Sequence, residues 1–273
     1  DSWIGDNMAY TTIDDPSEYF VTTLYAGNGN DDRSITNDAN AGNFKPDWLW
    51  LKNRSGTNSH ALVDSTRGST KVLRSNATNA EETEANGIQA FETDGFQIGS
   101  GGLVNTDGNN YVAWQWKANG GTTTTNDASA TSVGTIDSVY QANTTAGFSI
   151  VTYTGTGSAG TIAHGLGATP KLYIIKNRER SDTWRVATEM MGFGKQLLLN
   201  ETDAVATDTS TFNNTAPTST VFSVGTRNAV NASSEGHVAY CFAEKKGYSK
   251  MGSYTGNGAQ DGTFVYTGFK PAF

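Results

Sequence analysis

One string of residues recurs through this chain, and it narrows the possible folds more than any overall composition does. Phe20-Val-Thr-Thr-Leu-Tyr25-Ala-Gly27-Asn-Gly29 is answered by Phe148-Ser-Ile-Val-Thr-Tyr153-Thr-Gly155-Thr-Gly157, and Met251-Gly-Ser-Tyr254-Thr-Gly256-Asn-Gly258 opens the pattern a third time. The register holds further on. Pro46-Asp-Trp-Leu-Trp-Leu-Lys52-Asn53-Arg54 matches Pro170-Lys-Leu-Tyr-Ile-Ile-Lys176-Asn177-Arg178. Val104-Asn105 and Tyr111-Val-Ala-Trp114-Gln-Trp116 return 230 − 104 = 126 positions later as Val230-Asn231 and His237-Val-Ala-Tyr240-Cys-Phe242. From the second Gly of the opening to the following Pro is 46 − 29 = 17 residues in the first copy, 170 − 157 = 13 in the second and 271 − 258 = 13 in the third. The first copy therefore carries four extra residues in that loop. Self-similarity of this kind marks a tandem array: two copies are complete, a third is expected to be cut at its second strand, and the chain is expected to be part of a longer polypeptide.

Within each copy the apolar residues come in short runs bounded by Gly, Asn, Asp or Pro, as strands do. In Pro46-Asp-Trp-Leu-Trp-Leu, side chains alternate between a Trp48/Trp50 face and a Leu49/Leu51 face, and both are apolar. Such a strand is covered on both sides, so the expected fold is all-β, two tandem antiparallel β-sandwich units plus the first strands of a truncated third. The expected divisions are a leader at 1–17, the first unit at 18–118, a Thr/Gly/Ser-rich linker at 119–138, the second unit at 139–249 and the start of the third at 250–273. Ala80-Glu-Glu-Thr-Glu-Ala85 is the one helix-like stretch, expected as a single turn.

Only 17% of residues are charged and the net charge is −8, so the clustered Lys and Arg that neutralise nucleic-acid phosphate are missing. No run of 18 apolar residues predicts a membrane span. The single cysteine, Cys241, forbids an internal disulfide and lies in a strand, where it reads as a small buried apolar group.

The candidate chemistry is sparse. Gly155-Thr-Gly157-Ser-Ala-Gly160 spells a dinucleotide fingerprint, but no helix follows, and the sister copies put Asp32 and Asp261 where its third Gly stands, so a hairpin turn is expected. His60, His164 and His237 lack metal-ligand spacing, and Tyr111 takes the place of His237 in the first copy. Glu81, Glu82 and Glu84 fall in one unit and Glu201 and Asp203 in the other, not as a glycosidase pair. No catalytic residue and no cofactor are expected. The one calcium candidate is Asn105, Asp107 and Asn109, a turn rich in side-chain oxygens but without the glutamate of a calcium loop. Trp48, Trp50, Trp114 and Trp116 are exchanged for Leu172, Ile174, Tyr240 and Phe242, as core positions tolerate. Trp3 and Trp184, outside that set, are the candidates for an exposed, ligand-stacking aromatic.

Together these words, with Asp64-Ser-Thr-Arg67-Gly68, Leu73-Arg-Ser-Asn76, Asp94-Gly-Phe96, Ala142-Asn-Thr-Thr-Ala-Gly-Phe148 and Gly247-Tyr-Ser-Lys, resemble the tandem β-repeat modules of marine bacteriophage tail-fibre-like virion proteins, of the cyanophage and pelagiphage type. The resemblance covers the chain from Pro16 onward and carries no catalytic residue. It implies a structural and adhesive module of a tail fibre or related appendage, displaying surface for host attachment. It also implies assembly in the host cytoplasm and exposure on the virion. The expected partners are other copies of the chain, a trimer favoured, other appendage proteins and host surface glycan. A dedicated carbohydrate-binding module is the alternative and a surface-glycan hydrolase the third. The second copy departs at Asp64-Ser-Thr-Arg67-Gly68, where it reads Glu189-Met-Met-Gly192, which leaves Arg67 without an assigned role.

Overall fold

Strand pairing converts the repeat into geometry. The structure, a computed structural model, describes residues 11–37 and 44–273. The first unit comprises β1 (Phe20–Ala26), β2 (Arg33–Ile35), β3 (Trp48–Asn53), β4 (Ala61–Asp64), β5 (Lys71–Val72), β6 (Glu82–Thr83), β7 (Ile88–Glu92), β8 (Gly95–Ile98) and β9 (Asn110–Trp116). The second comprises β10 (Thr124–Asn126), β11 (Ser138–Asn143), β12 (Phe148–Thr154), β13 (Gly160–Ala163), β14 (Leu172–Asn177), β15 (Arg185–Thr188), β16 (Lys195–Leu198), β17 (Ala206–Thr207), β18 (Val221–Val224) and β19 (Gly236–Phe242). Three one-turn helices accompany it, α1 (Ala128–Thr131), α2 (Thr209–Phe212) and α3 (Asn228–Asn231).

In the first unit β1 and β3 flank β9, antiparallel, with Tyr25 opposite Tyr111 and Trp48 opposite Trp116. In the second β12 and β14 flank β19, with Tyr153 opposite His237 and Leu172 opposite Phe242. The registers are identical, so each repeat-related pair of residues points to the same side of its sheet. Phe96 and Phe222 likewise occupy equivalent places, opposite Ile35 and Ile162.

Each large sheet buries one face inside its own unit. Leu49, Leu51, Ala61, Val63 and Ala113 pack against Ile35, Phe96 and Ile98 of the small sheet β2-β8-β7. Val151, Tyr173, Ile175 and Ala239 do the same against Ile162, Phe222 and Val224 of β13-β18. The other faces meet each other: Trp48, Leu62 and Trp116 share one cluster with Phe148, Ile150, Ile174, Val186, Val238 and Tyr240. The layers run small sheet, large sheet, large sheet, small sheet, and the cover for the Trp48 face is the partner unit. Each large side chain buried there contributes about 1.5–3 kcal/mol of transfer free energy, so the seam is a third core, not a loose contact.

The structure differs from the sequence expectations in several places. The stretch 119–138 carries β10 and α1, and β10 extends the second large sheet by pairing with β11. Ala80 to Ala85 holds no helical turn. Glu82–Thr83 is extended and pairs with Lys71–Val72, because Glu81 and Glu82 are drawn to arginines on either side. Residues 250–273 form no strand. The opening strand of each unit is held by its last strand, β9 or β19, and 250–273 contains no counterpart of that partner. Tyr254 and Phe264 remain 71% and 86% exposed, whereas Phe273 places its ring 5.0 Å from Trp116 and 5.5 Å from Trp114. Residues 38–43 of the longer loop before Pro46, and Trp3 with the rest of 1–10, lie outside the described residues. Among the described residues no helix is long and apolar enough to cross a membrane.

Candidate functional site

The seam and one cleft carry polar chemistry beyond what a strand ladder needs. In the seam, Tyr240 is stacked between Trp48, 4.2 Å away at 19°, and Trp184, 6.4 Å away at 21°. Trp184 is 0% exposed and its Nε1–H donates to the Arg74 carbonyl across the seam at 2.8 Å. This corrects the expectation of an exposed aromatic at Trp184: the indole closes the seam, because its one polar atom finds an acceptor on the other unit.

The Tyr240 hydroxyl donates to Asp64 Oδ2 (2.7 Å) and accepts from Arg67 Nη2 (3.1 Å). Arg67 Nε lies 2.5 Å from the same Asp64 oxygen, and its Nη1 reaches Glu81 Oε2 at 2.9 Å. From the second unit Arg178 grips Glu81 with two nitrogens at 2.9 and 2.8 Å. Burial pushes the Glu81 carboxyl upward, but Arg178 and Arg67 more than offset it and hold the group below the usual carboxylate range. Arg67, fully buried, is pulled toward the neutral form by desolvation, and Asp64, Tyr240 and Glu81 together outweigh that, so it stays a cation. The two arginine-facing carboxylates thus belong to an ion network that joins the units. Register shows the network is one-way: 64 + 124 = 188 and 67 + 124 = 191, so Thr188 and Met191 stand where the first unit has Asp64 and Arg67. Arg67, left unassigned by sequence, is the buried cation of this network and reaches across the seam to the Tyr240 hydroxyl, while the ion pair that spans the units is Arg178–Glu81.

The calcium candidate is placed differently. Asn105 Oδ1 accepts from Asn28 N–H (3.0 Å), and its Nδ2 donates to Asn30 O and Gly99 O (2.7 and 3.0 Å). Asn231 repeats this with Thr156 N–H, Ser158 O and Gly225 O at 2.8, 2.7 and 2.7 Å. Asn105 is a clamp of the loops at one end of the unit, with its oxygen already engaged, while Asp107 and Asn109 flank an exposed turn. Among the described residues no three His, Cys, Asp or Glu side chains group as a metal site would. The histidines are bound to the scaffold: His60 Nδ1 accepts from Trp50 Nε1–H (2.8 Å), and His237 stacks on Tyr153 as Tyr111 stacks on Tyr25.

The second place is a cleft of about 510 Å³ in the second unit, between β15, β16 and the residue before α3. Arg185, 5% exposed, gives Nη1 to Gln196 Oε1 (2.9 Å) and sets Nη2 3.5 Å from Asp182 Oδ1, while its buried Nε has no hydrogen-bond partner. Burial, and then the nearby Arg227, lower the affinity of Arg185 for its proton. Gln196 Oε1 also accepts from Thr211 Oγ1–H (2.9 Å), its Nε2 donates to Asp208 Oδ2 (3.2 Å), and Arg227 Nη1 donates to that oxygen at 2.5 Å. Asp203 and Leu198 complete the walls. Nothing in the separate stretches around Arg185, Gln196 and Arg227 forms a motif. The signal lies in the repeat, where 185 − 124 = 61, 196 − 124 = 72 and 227 − 126 = 101 place Ala61, Val72 and Gly101 in the first unit.

The chain belongs to a family described as a domain of unknown function (DUF7483), whose model matches residues 15–273, across both units. No curated protein matches the chain. No solved structure matches it either.

Proposed function

We propose that this module is a structural and adhesive segment of a phage tail fibre or related virion appendage, displaying surface for host attachment. The observation that supports it most is the seam, where repeats that are ordinarily strung as beads are fused through buried rings and the Asp64–Arg67–Glu81–Arg178 network. Fusion fixes the distance and orientation of everything displayed on the outer faces, which suits a fibre segment that holds weak contacts at set spacing. A family match running over both units is consistent with the pair, and not the single repeat, as the working piece. The reading includes assembly into a homo-oligomer, a trimer favoured, together with other appendage proteins. The test is proteomics and immunogold labelling of purified particles from the phage that encodes the chain. Label on the appendage supports the proposal, and particles lacking the chain contradict it.

A carbohydrate-binding module is the second reading, and the cleft of the second unit favours it. The two readings are compatible, since an appendage segment adheres through such sites.

A further inference from the structure

We propose that the cleft of the second unit is a binding site for a neutral, hydroxyl-rich glycan, an inference that deepens the adhesive reading above and rests on it. The two units provide their own control. In the first unit the equivalent corner is filled by Ala61 and Val72, both part of its apolar core, with Gly87 and Gly101 beside them. In the second the same four positions, fixed by the same strand pairings and by matching loop bonds, are Arg185, Gln196, Thr211 and Arg227. The Gly87 and Gly101 correspondences rest on Gly99 N–H to Gly87 O and Gly101 N–H to Asn86 O, repeated as Gly225 N–H to Thr211 O and Arg227 N–H to Ser210 O. The fold therefore accepts small and apolar residues at these four positions, while the first unit sets its own ion pair, Arg74–Glu82, where the second has Leu198 and Ala206. Four polar replacements in one place, with a cleft in front of them, are a departure that packing does not require.

The lining selects the ligand chemistry. Each arginine of the cleft already faces a carboxylate, Arg185 facing Asp182 and Arg227 facing Asp208, and Asp203 adds a further negative charge to the wall. No cation is left over for an anionic ligand, whereas a hydroxyl donates and accepts at once and suits a wall where cations and carboxylates alternate. The buried Nε of Arg185 lacks an acceptor, which leaves the guanidinium that lines the cleft one hydrogen bond short. Leu198 supplies apolar surface for the C–H side of a sugar ring, and a volume of about 510 Å³ lies within the range of small-ligand sites.

The experiment uses the whole chain and ligand-observed NMR, with neutral gluco-, galacto- and manno-oligosaccharides as probes and oligogalacturonate in parallel. Gln196→Val and Arg227→Gly install the residues that the first unit carries at these positions, and Asp203→Asn changes an exposed wall residue without touching the core. Circular dichroism of each variant establishes that the fold is kept. The expected result is binding of at least one neutral oligosaccharide, weakened about tenfold or more by each variant, the scale of one lost charge-assisted hydrogen bond. Three outcomes overturn the proposal: no neutral probe bound by the intact chain at millimolar concentration, neutral binding unchanged in all folded variants, or oligogalacturonate bound in preference to every neutral probe. None of these bears on whether the chain is found on particles, so failure of the glycan site and failure of the appendage reading are separable.

Discussion

The indole of Trp48 lies 4.2 Å from the phenol ring of Tyr240 and within 19° of parallel to it, across the boundary between two repeats that share one sequence pattern. The contact joins unlike positions, since the repeat partner of Trp48 is Leu172 and that of Tyr240 is Trp114. Two copies of one fold have thus diverged where they touch, and the tyrosine hydroxyl is the group that reaches Asp64 and Arg67.

Removing Arg67 should be among the most damaging single changes in the chain. Arg67→Met, which copies Met191, leaves Asp64 buried beside Tyr240 with no cation, and the expected loss in urea unfolding is about 3–5 kcal/mol. Combining it with Asp64→Thr, which copies Thr188, removes the stranded charge as well and should recover more than half of that loss. If the double variant is less stable than Arg67→Met, the ion pair is not the reason the single variant is damaged.

The asparagine clamps should behave as equivalents. Asn105→Ala and Asn231→Ala each strip three backbone hydrogen bonds from corresponding loops, and each should lower stability by at least about 2 kcal/mol in thermal or urea unfolding. Added millimolar Ca²⁺ should not raise the melting temperature of the Asn105→Ala chain relative to the parent.

Acid should weaken the second unit through His164. Its Nδ1 accepts from Leu166 N–H and its Nε2 faces the Thr218 carbonyl, and burial pulls its pKa down to about 4 from 6.5. The unfolded chain binds the proton first, so stability present above pH 6.5 is lost as pH falls toward 4, on the order of 3 kcal/mol for this group. His164→Asn, which keeps an acceptor for Leu166, should flatten the dependence of unfolding free energy on pH between 6.5 and 4. Burial lowers the pKa of His237 as well, so some slope should remain. An unchanged slope in the variant contradicts the assignment.

The strands and their register were legible because alternation and equal spacing are local properties. Tyr25 with Tyr153 and Phe96 with Phe222 follow from counting residues. Two apolar faces on Trp48 to Leu51 showed that something covers both, but periodicity holds no information on which element does so, and the partner unit supplied it. Trp184 read as exposed because it stands outside the exchanged set, whereas its burial depends on Arg74, 110 residues away. The cleft is invisible in sequence for a related reason: Arg185, Gln196 and Arg227 converge only through strand pairing, and their meaning lies in how they differ from Ala61, Val72 and Gly101. The strand signal in 250–273 was real in pattern and silent on pairing, since a strand forms only where its ladder partner is present.

Whether the seam makes one body of the two units is tested most directly by equilibrium unfolding in urea, followed on the same samples by near-ultraviolet circular dichroism, compared between the parent and Trp184→Phe to isolate the seam's share of the aromatic signal, and by far-ultraviolet circular dichroism, which reports strands throughout. Fusion through the seam predicts a single transition with the two signals superimposed. Loss of the aromatic signal at lower urea, ahead of a separate loss of strand signal, would show the units parting while still folded and would contradict it.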